Sequence, residues 1–181
     1  MADRKRRKFS CSWAGRRMGV SRILCFLSLF ASLPGSMLVA QTLQLSSTAA
    51  SRGTSVVIEI SLKSPQGKEP AALQWDATIP TAELSLIDKE IAVGPAAKEA
   101  GKSITCALKG KTDKTLTSVC ILAGGQRQIQ NGVIALLMLK VPQEAPIGPA
   151  RIQVERAIAV SRDVTEVLMK PIETVVSIRG K

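Results

Sequence analysis

The residues with chemistry to offer are few. Cys106 and Cys120 stand 14 positions apart. Two cysteines at that spacing can bond across a hairpin or lie buried as free thiols. They make a poor zinc site, because the chain has no histidine to complete a ligand set. The lack of histidine also rules out Ser/His/Asp and Cys/His nucleophilic machinery. Hydrolysis by paired carboxylates needs two acids across a cleft. Asp76 and Glu59 both fall on expected outward strand faces, where they could meet, but each reads first as an ordinary solvated acid. Asp88, Asp113 and Asp163 are spread singly, unlike the acids of a calcium loop. Gly124-Gly125 lacks the strand–helix setting of a phosphate loop. No catalytic residue, metal or cofactor is therefore expected.

The elements that position these residues begin after an export segment. Arg4 to Lys8, Arg16-Arg17 and Arg22 form a basic stretch, Ile23 to Leu33 an apolar core, and Leu38-Val39-Ala40 a small-residue cleavage region before Gln41. That is the plan of a secretory signal peptide over residues 1–40, with Met18 as a second natural start. Its apolar core is too short for a comfortable span, so no stable membrane span is expected after removal. This segment holds eight of the 25 basic residues and one of the 14 acids. The remaining 17 basic and 13 acidic residues give a net charge of only +4. The overall +11 is thus no sign of a nucleic-acid partner. The expected destination is secreted, or the envelope of a bacterium, where a single disulfide is at home.

Residues 41–181 read as one domain built of strands. The organising stretch is Gly132 to Val141, apolar and β-branched between Asn131 and Pro142. Thr54 to Leu62 alternates, with Val56, Ile58, Ile60 and Leu62 inward. Ala71 to Ile79 does the same, and Trp75 lies in phase with Leu73, Ala77 and Ile79, which makes it a core residue rather than a ligand platform. Lys102 to Lys109 and Leu116 to Ala123 form a hairpin that can set Cys106 opposite Cys120. Gln41 to Ser47 is a first edge strand, Ser46 to Gly53 a turn, and Glu83 to Val93 short extended pieces around an Asp88-Lys89 turn. Pro95 starts one helical turn within Gly94 to Gly101. Arg151 to Val160 alternates with Ile152 and Val154 inward, and Val164 to Met169 and Ile172 to Ile178 finish the chain. Eight or nine short strands without a long amphipathic helix make an all-β sandwich.

The order of these segments resembles the cohesin domain. Gly53-Thr54-Ser55-Val56-Val57-Ile58, Ala72-Leu73-Gln74-Trp75-Asp76, the Asn131 to Val141 strand, Ala145-Pro146-Ile147-Gly148 and Val175 to Arg179 carry the likeness, over roughly 42–179. It implies a nine-stranded jelly-roll β-sandwich with no catalysis, and a bonded Cys106–Cys120 pair. It also implies a protein partner, dockerin-like or part of an envelope or extracellular assembly, met through one sheet face. Two other readings stand beside it: a module that binds polysaccharide at a shallow sheet face, and a structural envelope domain. Aromatic content is low for a sugar platform, since all three phenylalanines precede residue 41.

Overall fold

The computed structural model describes residues 40–180, so almost all of the expected export segment lies outside the described residues. Among these, eleven strands and one short helix follow one another. The chain opens with β1 (Thr42–Leu45) and β2 (Thr48–Ser51), then β3 (Ser55–Lys63), β4 (Ala72–Pro80) and β5 (Ser85–Val93). After α1 (Pro95–Glu99) come β6 (Ser103–Lys111), β7 (Thr115–Ala123), β8 (Gly132–Lys140), β9 (Gly148–Val160), β10 (Glu166–Leu168) and β11 (Ile172–Arg179). Ten of the strands fall on segments expected to be extended, β10 within Val164 to Met169; β2 is a short addition.

Two sheets face each other. One has the order β1-β3-β8-β5, the other β2-β11-β9-β4-β7-β6, with β10 hydrogen-bonded to β9. The alternation read from the sequence decides which side chains meet between them. Ile58, Ile60 and Leu62 of β3 and Leu137 and Leu139 of β8 are buried from one sheet. Leu73, Trp75, Ala77 and Ile79 of β4 and Ile152 and Val154 of β9 are buried from the other. Each such leucine, isoleucine or valine side chain stabilises the fold by about 1.5–3 kcal/mol relative to exposure. The organising stretch lies inside its sheet, between β3 and β5. Pro95 occupies the first turn of α1, where its missing N–H costs nothing.

Three expectations need correction. The turn at Ser46 to Gly53 contains β2, which runs parallel to β11 with Thr48 opposite Val176. The chain changes sheets between β1 and β2, and Thr-Ala-Ala-Ser carries no apolar alternation to announce a strand held by its backbone. The Asp88-Lys89 turn is instead an irregularity within β5: the register against β8 passes from Leu86–Leu139 to Ile91–Leu137. Asp76, expected to be solvated, is buried.

The hairpin places Cys106 directly opposite Cys120, and the two are bonded with their Cα atoms 4.1 Å apart. β6 is an edge strand with β7 as its one hydrogen-bonded neighbour, so the bond fastens the strand that has least else to hold it. Replacing both cysteines by serine is expected to lower stability by about 3 kcal/mol, the loop-closure entropy of a 14-residue separation. Urea denaturation of the oxidised wild type against the double variant measures it.

Candidate functional site

Asp76 organises the outer face of the larger sheet. The inward residues of β4 are Leu73, Trp75, Ala77 and Ile79, so Asp76 points away from the core. It is nevertheless only 2% exposed, because two cations lie over it. Lys109 Nζ donates to Asp76 Oδ2 at 2.9 Å. Arg156 Nε donates to the same oxygen at 2.6 Å, and Arg156 Nη2 also donates to it. Burial alone would push the carboxyl up. The hydrogen bonds and charges of Lys109 and Arg156 outweigh that and hold it below its ordinary value.

Both cations sit at β-bulges. On β9, Gln74 faces Ile158 and Asp76 faces Glu155, so Arg156 and Ala157 together oppose Trp75. Arg156 has φ +48°, a left-handed backbone uncommon for a bulky residue. On β6, Leu108 faces Ser118 and Gly110 faces Thr117, which leaves Lys109 as the extra residue. A bulge turns a side chain out of the regular alternation. Here two bulges, on strands either side of the β4–β7 pair, bring their side chains to one carboxylate.

Around this cluster the face is chemically mixed. Rows across the strands read Ile158, Gln74, Ile121, Thr105 and then Glu155, Asp76, Val119, Ala107. A third begins Gln153, Thr78, Thr117, in which the two threonine hydroxyls are 3.0 Å apart. Ile121 is 47% exposed at its centre. The side chains of Arg156 and Lys109 remain 60% and 44% exposed, so donors on both still face solvent. The arrangement can accept a carboxylate or carbonyl beside an apolar contact. It is poorly suited to proton abstraction, because a carboxyl held low is a weak base.

Asp76 and Glu59 do not meet. β3 and β4 belong to different sheets, and the outward faces of those sheets lie on opposite sides of the sandwich. Among the described residues no three or more metal-ligating side chains cluster. No helix there is long and apolar enough to cross a membrane. Sequence reasoning missed Arg156 and Lys109. The available signal was a slip in phase: Ile152 and Val154 point inward, and so do Ala157 and Ala159, one residue out of step.

No protein-family model matches the chain, and no curated protein matches it in sequence. Solved structures do. The sixth cohesin of scaffoldin B from Acetivibrio cellulolyticus, in complex with a dockerin, has TM-score 0.62 and 18% identity over 77% of this chain and 99% of its own. The OlpA cohesin of Clostridium thermocellum, in a type I cohesin–dockerin complex, gives 0.64 and 17% over 77% and 99%. A non-cellulosomal cohesin of the archaeon Archaeoglobus fulgidus gives 0.61 and 11% over 77% and 91%. The chain has the cohesin fold. At these identities the cohesin likeness covers backbone architecture, and the Asp76 cluster rests on this chain's own side chains.

The cluster makes stability depend on acid. The folded-state value of Asp76 lies below its ordinary 3.8, so the pairing stabilises fully above that value and is lost as pH falls through the folded-state one. Asp76→Asn is expected to cost about 1–2 kcal/mol at pH 7, between an exposed pair and a hydrogen bond to a charged group. It should also flatten the fall in stability below pH ~4. Urea midpoints of both proteins from pH 2.5 to 7 test this.

Proposed function

We propose that the chain is a secreted, non-catalytic binding module that offers the outer face of β9-β4-β7-β6 to a protein partner of the dockerin kind. Residues 1–40 serve as its export signal in this reading, and the mature protein works outside the cytoplasm or in the envelope. The observation that carries the proposal is the Asp76 cluster: two cations fixed by one buried carboxylate, with exposed Ile121 in the neighbouring row of the same face. Fixed cations next to an apolar contact suit a protein surface that brings its own carboxylates and one apolar side chain. Similar solved structures include cohesins captured with dockerins, which supports a partner of that class.

The test is a pull-down from the native secretome and envelope with the wild type, Ile121→Asp and Arg156→Glu. One stoichiometric protein partner is expected with the wild type. Each variant should weaken it at least tenfold, the range of a central interface residue. Ile121→Asp should leave the thermal midpoint unchanged, whereas Arg156→Glu, which removes a partner of Asp76, should lower it while the protein stays folded at the assay temperature. Retention on polysaccharide alone would move the function to carbohydrate binding. A protein partner indifferent to both substitutions would remove this face from the interaction.

A further inference from the structure

A second surface lies on the other side of β6. The edges of the two sheets formed by β5 and β6 stand apart and leave an open cleft of about 580 Å³. That is the size of a small-molecule site, about 300–1,000 Å³ in proteins generally. Its walls are mainly apolar: Ile79 from β4, Leu84 and Leu86 at the start of β5, Cys106 and Leu108 from β6, and Leu116 from β7. The irregular register of β5 between Leu86 and Ile91 shows how the edge departs from a regular ladder here. Leu108 belongs to this lining and has 61% of its surface in water.

Shape and charge specify what fits. From Cys106 to Lys111 the cleft follows five steps of β6, about 15 Å at strand rise. A volume of about 580 Å³ spread over that length has room for an extended alkyl chain. Among the described lining residues Lys111 is the one ionisable side chain, since Cys106 is held in its disulfide. The hydroxyls of Ser85 and Thr81 belong to the same lining. An apolar channel with a cation towards one end matches a ligand with an apolar tail and an anionic head.

We propose that this cleft binds a single-chain carboxylate amphiphile, its alkyl tail between the sheet edges towards Cys106 and its carboxylate at Lys111. The site is separate from the Asp76 face: β6 points Leu108 into the cleft and Ala107 to the outer face. Binding here is independent of the protein partner proposed above, and Ile121→Asp leaves it unchanged.

Titration calorimetry on the full chain tests the site. The probes are dodecanoate and dodecyltrimethylammonium, both below their micellar concentrations. The wild type is expected to take up one dodecanoate saturably, and the cation at least tenfold more weakly. Lys111→Glu should reverse that preference, and Leu108→Asp should weaken dodecanoate at least tenfold. Both positions are exposed, so thermal midpoints should match the wild type and report that each variant is folded. The proposal is overturned by a wild type that takes up no saturating dodecanoate. It is equally overturned by uptake that neither substitution alters, or by a head-group preference that survives Lys111→Glu.

Discussion

A single carboxylate taken out of water sets the terms for the outer half of this molecule. An isolated buried ion costs several kcal/mol, so Asp76 has to be paired. No neighbour in regular register supplies the charge: across β7 it meets Val119, and across β9 it meets Glu155, an acid of its own sign. The cations come from residues that break the register, Arg156 and Lys109. The backbone of Arg156 adopts an unfavourable left-handed conformation to deliver its guanidinium. Strain at one strand and solvation at another are thereby coupled through one oxygen atom, Asp76 Oδ2.

That coupling gives the edge strand β6 more than one task. On its inward side Ile104 and Cys106 pack against the core and Cys106 and Leu108 line the cleft, while its outward side leads to Lys109. An edge strand has ladder hydrogen bonds on one side only and is prone to fray. The Cys106–Cys120 bond lies three residues before Lys109, close enough to hold the bulge over Asp76. A disulfide at the end of the hairpin would restrain the same loop with less influence on that lysine.

Much of the fold was legible because it follows from period-2 alternation. β3, β4 and the β6–β7 hairpin stand within a residue or two of where Val56 to Leu62, Leu73 to Ile79 and the cysteine spacing place them. β2 was illegible because Thr-Ala-Ala-Ser has no pattern and its partner, β11, is more than a hundred residues away. The site was harder for a related reason. Asp76 sits where an exposed residue belongs, and its burial comes from side chains contributed by other strands: β9, 80 positions on, and β6, 33 positions on. Alternation describes each strand against the core and says nothing of what lies over its outer side. The phase slip between Val154 and Ala157 marks a bulge, and only the assembled sheet shows which carboxylate the bulged arginine meets.

The exposed part of the cluster explains why a structural ion pair can also be a recognition element. A free surface arginine must be ordered when a partner binds, at about 0.5–1.5 kcal/mol for a flexible side chain. Asp76 already orders Arg156 and Lys109 through one shared oxygen, and both keep about half of their side-chain surface in water. With Glu155 beside Asp76, two acids balance the two cations on a face otherwise made of threonine, glutamine and apolar residues. In the proposed interaction, an approaching carboxylate or carbonyl therefore finds donors that are already ordered. In the proposed interaction, the same oxygen that makes Arg156 acceptable at a strained bulge also orders it for contact, and a sheet without the buried acid would present two mobile cations and hold the proposed partner more weakly.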